Sequence, residues 1–251
     1  MKAIEVFCVS KVFEINLEQA AKGKAKAGVF IALSDISLGI EEGECTIIAG
    51  ENGSGKSLLM SIIAGLENPT RGAVITNSRP GLVFQECDCQ ILGETPAEDI
   101  AFGPRNMGLS KSEIKKRVKA ALHATGLEHR SSFPARSLSG GEKRRLAAAG
   151  VLAMDAKIII FDEPYANMDY PGVIEVNKLI KTLIESGRTV VILTHELEKC
   201  LAFAHRFIVL YRGGKVYDGN VDEALSCDLE AWGIRNPLKN AAREVKDLVW
   251  I

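Results

Sequence analysis

Eight residues, Gly50-Glu51-Asn52-Gly53-Ser54-Gly55-Lys56-Ser57, constrain the fold of this chain more than any other stretch. A short β-prone run, Cys45-Thr46-Ile47-Ile48-Ala49, leads into them. After them, Leu58, Leu59, Ile62, Ile63 and Leu66 fall at helical spacing. The order is strand, glycine loop, helix. Small residues let successive backbone N–H groups converge on phosphate oxygens. The helix that follows aims its positive end at the same anion. Lys56 adds a full charge, and the Ser57 hydroxyl is suited to ligate Mg²⁺. All four fixed positions of G-x-x-x-x-G-K-S are filled, which favours a phosphate loop over a glycine-rich turn before an ordinary helix. The pattern predicts an α/β fold and a bound nucleotide. By itself it does not name a reaction.

Two further stretches narrow the chemistry. Ile158-Ile159-Ile160-Phe161 reads as a buried strand and ends in Asp162-Glu163, followed by Pro164. Ligands of open α/β sheets bind beyond the carboxyl ends of strands. Asp162 is therefore placed to hold Mg²⁺, and Glu163 to act as general base on an attacking water. The alternative is a solvated acidic strand end. Between this strand and the loop lies Leu138-Ser139-Gly140-Gly141-Glu142-Lys143-Arg144-Arg145. Ser139-x-x-Glu142 is a capping-box pattern and predicts a helix start. A cap explains neither Leu138 nor the basic run.

The three motifs in this order resemble the ATP-binding subunits of ABC (ATP-binding cassette) transporters. The resemblance covers most of the chain. It implies a P-loop ABC ATPase fold: a RecA-like core, an N-terminal antiparallel β-subdomain and a helical signature-motif subdomain. Residues 1–86 and 155–251 would form the core with its β-subdomain, and 87–154 the helical part. The cofactors implied are ATP and Mg²⁺. The ATP site would comprise Phe13, Gly50, Glu51, Asn52, Gly53, Ser54, Gly55, Lys56 and Ser57. Ser139, Gly140, Gly141 and Glu142 would bind the ATP held by a partner subunit. Gln85, after Leu82-Val83-Phe84, resembles the lid glutamine that reaches Mg²⁺ and the water. Asn167, Met168 and Asp169 occupy the family's dimer-contact loop. His195 matches the switch histidine at the γ-phosphate. For the ring that stacks on adenine, Phe13 is the better match, with Phe30 the alternative.

The segment after Gln85 resembles one branch of the family. Gln85-Glu86-Cys87-Asp88-Cys89-Gln90 and Glu98-Asp99-Ile100-Ala101-Phe102-Gly103-Pro104 are similar to the Q-N-P-D-x-Q and E-D-V-A-F-G-P runs of energy-coupling-factor and cobalt-type importers. Ala149-Gly150-Val151-Leu152-Ala153-Met154 matches their signature helix. Glu86-Cys87 replaces Asn-Pro where the membrane partner touches. The resemblance implies an ATPase subunit that dimerises with an identical or homologous one and docks transmembrane subunits near 86–104, a surface that Asp99→Lys should disturb. The task would be uptake of a vitamin or transition-metal ion, at the cytoplasmic face of the cell membrane. The alternatives are a soluble non-transport ABC ATPase and the ATPase of another importer or exporter type.

Composition fits that reading. The net charge of −1 gives no global basic field for nucleic acid. No segment reaches the eighteen or so apolar residues of a membrane span. The six cysteines are scattered and no secretion signal is visible, so reduced thiols are expected. Cys87-x-Cys89 lacks the second Cys or His pair of a zinc site. A small-molecule kinase or GTPase would not need Ser139-Gly140-Gly141, and no N-K-x-D is present. The remaining pattern predicts strands within 4–13 and 30–48, an exposed polar loop from Glu14 to Gly28 and a helix from Ser110 to Gly126. It also predicts a helix near 172–186, a strand at 189–193 and a hairpin from Phe207 to Tyr217. The tail after Trp232 carries no readable motif.

Overall fold

The computed structural model describes residues 1–15 and 28–239. Two sheets carry the fold. The first is antiparallel, in the order β2-β1-β4, from β1 (Lys2–Ile15), β2 (Gly28–Glu41) and β4 (Arg71–Thr76). The second has six strands in the order β5-β6-β7-β3-β8-β9. These are β3 (Cys45–Ala49), β5 (Gly81–Val83), β6 (Ile158–Asp162), β7 (Thr189–Thr194), β8 (Arg206–Tyr211) and β9 (Gly214–Gly219). The first five in that order run parallel, and β9 pairs antiparallel with β8 in the expected hairpin.

The central strands read as unbroken apolar runs because both faces of the sheet are covered. Ile159 and Phe161 of β6 face one core, which also holds Ala147, Ala148, Val176 and Ile180. Ile158 and Ile160 face the other, with Leu59 and Ile63 and with Ile4 and Val6 of the antiparallel sheet. Helix α1 (Lys56–Ile63) follows the glycine loop. Helices α2 (Pro96–Asn106), α3 (Lys111–Ala124) and α4 (Gly140–Ala153) gather around a third cluster that includes Ile100, Leu122, Leu127 and Leu146. Helix α5 (Tyr170–Glu185) follows β6, and the short α6 (Val221–Ser226) follows β9.

Several expectations change in detail. Glu14 and Gly28 belong to strands, so the expected loop shrinks at both ends; residues 16–27 lie outside the described residues. The Ser110 hydroxyl caps α3 by accepting from Glu113 N at 3.3 Å. The box is not closed, because the Glu113 carboxylate accepts from Arg117 Nε at 3.0 Å one turn on. Strand β4 was not expected. Its side chains are exposed or half-buried, so it lacks a core-facing signal. Just beyond Trp232, Asn236 anchors the described residues: it is 3% exposed and donates to Leu225 O at 2.9 Å.

Candidate functional site

Strands β3, β5, β6 and β7 all point their carboxyl ends to one edge of the sheet, and the glycine loop, Gln85, Asp162, Glu163 and His195 stand at or just beyond those ends. The loop after β3 is shaped by backbone approach. A Cβ on Gly50 would sit 2.3 Å from Leu210 O and 2.5 Å from Ser54 Oγ, so only glycine fits. Gly55, at φ +100°, caps α1 from the left-handed region. Lys56 is buried and folds back to donate to Gly50 O at 2.7 Å and Glu51 O at 3.2 Å. Burial lowers its pKa, and the carboxylates of Glu163 and Asp162 work against that shift.

The two acids at the end of β6 differ. Asp162 Oδ1 accepts from Ser57 Oγ at 3.0 Å. Burial raises its pKa, and the Ser57 hydrogen bond partly offsets the rise. These two oxygens form a hard donor pair that suits Mg²⁺. Glu163 is 5% exposed and turns at φ +45°. Its N–H donates to Leu193 O at 2.9 Å, which pins the turn to β7. Its Oε1 lies 3.0 Å from His195 Nδ1 and 3.6 Å from Lys56 Nζ. Its Oε2 is buried and has no hydrogen-bond partner among the described residues. A buried carboxylate oxygen left unpaired is costly, and a water donating to it at this edge would satisfy it. His195, just past β7, is half exposed. Lys56, Ser57, Asp162, Glu163 and His195 thus form one contiguous set, drawn from three strand ends.

Gln85 follows β5, and its side chain is exposed. The segment that carries it is held by Gln90, whose amide donates to Leu82 O at 2.8 Å and accepts from Phe84 N at 3.2 Å. That side chain takes the place of a neighbouring strand along the β5 edge. Cys87 is buried with Sγ 3.2 Å from Phe84 O, whereas Cys89 is exposed.

Ser139 begins α4 with both halves of the capping box. Its Oγ accepts from Glu142 N at 3.3 Å, and Glu142 Oε2 accepts from Ser139 N at 2.8 Å. Desolvation works upward on the Glu142 carboxyl, but the Ser139 N–H and Arg130 together hold it below the usual range. Among the described residues, the side-chain hydrogen bonds of Ser139 and Glu142 stay within the helical part, with Arg130 the third member. Gly140 is exposed, and a Cβ on Gly141 would lie 3.5 Å from the Cα of Gly172 in α5. The loop before α5 holds Asn167 at φ +59° and a half-buried Met168. Asp169 caps α5, with Oδ1 accepting from Gly172 N at 2.9 Å. Asn52 and Gly53 are exposed at the loop tip.

The two rings proposed for adenine turn out to be cross-strand neighbours. Phe13 on β1 pairs with Phe30 on β2, so both rings leave the same face at the same level. Both are exposed, and Lys11 Nζ sits 5.2 Å from the Phe13 ring centroid.

Sequence reasoning missed Arg144. Its guanidinium is 5% exposed; Nη1 donates to Glu163 O at 3.0 Å and Nη2 donates to Gln85 O. A signal was present. Residues 144, 147, 148 and 151 share one helical face, and Ala147, Ala148 and Val151 all face the sheet. The expected use of Asp99 is corrected too. Asp99 is 9% exposed, and its Oδ1 accepts from Leu92 N at 2.7 Å and Gly93 N at 2.9 Å. A lysine there would break the loop before α2 and would not report on docking.

Known proteins match this arrangement. The ABC transporter family model covers residues 33–166. The energy-coupling factor transporter ATP-binding protein EcfA of Methanocaldococcus jannaschii is 39% identical over 77% of this chain and 75% of its own length. EcfA2 of Symbiobacterium thermophilum is 39% identical over 87% of this chain and 83% of its own. The solved structure of cbiO1 from Clostridium perfringens, part of the transporter complex cbiONQ, superposes with a TM-score of 0.76 at 33% identity, covering 92% of each chain. The cassette MJ0796, solved as a dimer bound to ADP and Pi, gives a TM-score of 0.74 at 28% identity over 86% of this chain and 98% of its own. The chain belongs to the ABC transporter family, as an ATP-hydrolysing cassette most similar to the ATPases of energy-coupling-factor importers.

Proposed function

We propose that this cassette energises membrane uptake of a vitamin or a transition-metal ion by closing with a second cassette around two ATP molecules. The observation that carries the reading is the contiguous set Lys56, Ser57, Asp162, Glu163 and His195, together with relatives named as energy-coupling factor transporter ATP-binding proteins. Lys56 and the loop N–H groups bind phosphate oxygens. Ser57 and Asp162 would hold Mg²⁺, with Gln85 reaching it from the lid; when bound, the ion neutralises charge on the phosphates. Glu163 takes the proton of the attacking water, and His195 orients that carboxylate and meets the γ-phosphate. Phe13 stacks on adenine, with Phe30 beside it.

Ser139, Gly140, Gly141 and Glu142 serve the nucleotide of the facing cassette, and Asn167, Met168 and Asp169 line the contact between the two. Ser139→Arg places a bulky cation in that contact and abolishes ATP-driven dimerisation, while ATP binding to the monomer persists. Ser139→Ala is the control, since it loses the same helix cap, about 1 kcal/mol, without the bulk. Size-exclusion chromatography with ATP separates the outcomes. Dimerisation of Ser139→Arg like the parent would leave the motif as a helix cap only.

The membrane partner docks in the cleft between α2 and the core. This cleft of about 700 Å³ is lined by Leu66, Phe84, Leu92, Phe102, Met107 and Met154 among others. Leu66, Leu92 and Met107 are each more than half exposed. The cleft overlaps the expected 86–104 surface and extends past it at both ends. An apolar cleft of this kind fits an apolar segment of a membrane subunit. Phe102→Asp should prevent co-purification with the membrane subunits and leave ATP binding unchanged; persistent assembly would place docking elsewhere. No helix among the described residues is long and apolar enough to cross a membrane. The relatives named as transporter subunits support the location proposed here, peripheral on the cytoplasmic face of the membrane.

A further inference from the structure

We propose that Arg144 is a positioning residue that links the lid segment and the base to the signature helix, so that α4 sets both at once. The proposal rests on the roles given above to Gln85, Glu163 and Ser139. One planar guanidinium donates to the carbonyls of Gln85 and Glu163, which stand at the ends of the neighbouring strands β5 and β6. It has almost no exposure, and its Nε is buried without a partner among the described residues. Its position is thus fixed by the two carbonyls and the helix, with no solvent contact to compete. A second clip lies one residue earlier, where Lys143 Nζ donates to Asp88 Oδ1 at 2.6 Å. Both clips leave the first turns of α4, the helix that Ser139 caps.

The consequence is mechanical. Arg144 lies five positions along the helix from Ser139, a rise of about 7.5 Å. A shift of the α4 start, as the facing cassette's nucleotide meets Ser139, moves the guanidinium with it. The carbonyls of Gln85 and Glu163 follow, and their side chains with them. Each nucleotide would thereby help to set the base and lid that act on the other. Such a link needs a fork with two donors in fixed relation, which arginine has and lysine lacks.

Arg144→Lys and Arg144→Gln test this in the full chain assembled as the ATPase dimer. Both should lower kcat at least tenfold, with KM and the Kd for ATP within about twofold of the parent and the thermal midpoint little changed. Hydrogen exchange should quicken at the amides of residues 86–90 and 163–166, a readout that does not depend on catalysis. Parent-like kcat and exchange in Arg144→Lys overturn the proposal. A loss of kcat matched by equal losses of ATP affinity and thermal midpoint also overturns it, since that marks a general packing role. Glu163→Gln is run alongside. If it turns over normally, the assignment of the base fails, and the exchange result alone then decides the positional claim for Arg144.

Discussion

Glu163→Gln slows ATP hydrolysis by a factor of roughly a hundred or more, while ATP still binds and holds the cassettes together. The substitution keeps the shape of a side chain that is almost fully buried and removes its basicity. The amide can still contact His195 at the Oε1 position. It cannot accept a proton from water at the other oxygen, which is unpartnered among the described residues. Removing the charge also withdraws the carboxylate 3.6 Å from Lys56 Nζ. The ammonium then faces phosphate without an internal competitor, so affinity for ATP should hold or rise. Turnover by coupled assay and affinity by calorimetric titration check the two halves. Parent-like turnover would remove Glu163 from the chemistry.

Lys56→Ala produces the second large effect, a fall in ATP affinity of about ten- to a hundredfold. Charge-assisted hydrogen bonds contribute about 1.5–3 kcal/mol each, and 1.4 kcal/mol is tenfold. The same change removes the braces on Gly50 O and Glu51 O and leaves Glu163 as a buried charge without its cation. An uncompensated buried charge is destabilising. Lys56→Ala should therefore unfold at lower denaturant than the parent, and adding Glu163→Gln should recover part of that loss. Equal affinity in a folded Lys56→Ala protein would contradict the assignment. Failure of the double variant to recover stability would mean that the ion pair carries little weight in the nucleotide-free state.

The residues of the site were legible where local chemistry dictates them. A phosphate loop needs glycine where Leu210 O approaches and a lysine at its end, and both needs show in the sequence. The strand of Ile158 to Phe161 was visible because both of its faces are buried. What stayed hidden depends on distant pairing. Asp99 looks like one of two surface acids, yet it accepts from the amides of Leu92 and Gly93. Phe13 and Phe30 looked like alternatives until the β1/β2 register set them side by side. Arg144 reads as part of a solvated basic run, and only the approach of β5 and β6 supplies its two carbonyls. Strand β4 is exposed or half-buried along its length, so no alternation marks it.

The strand order has a consequence for how the protein is made. Cys45 of β3 pairs with Val190 of β7, and β6 reaches β3 only through β7. The ribosome therefore completes the glycine loop long before the strand that joins it to Asp162 and Glu163 has emerged. At typical rates of synthesis that interval is on the order of ten seconds or more. During it, the apolar β3 strand lacks β7, the neighbour that joins it to the acids. A nascent chain stopped short of Thr189 should bind chaperones and fail to retain ATP, and one released past Gly219 should do the reverse.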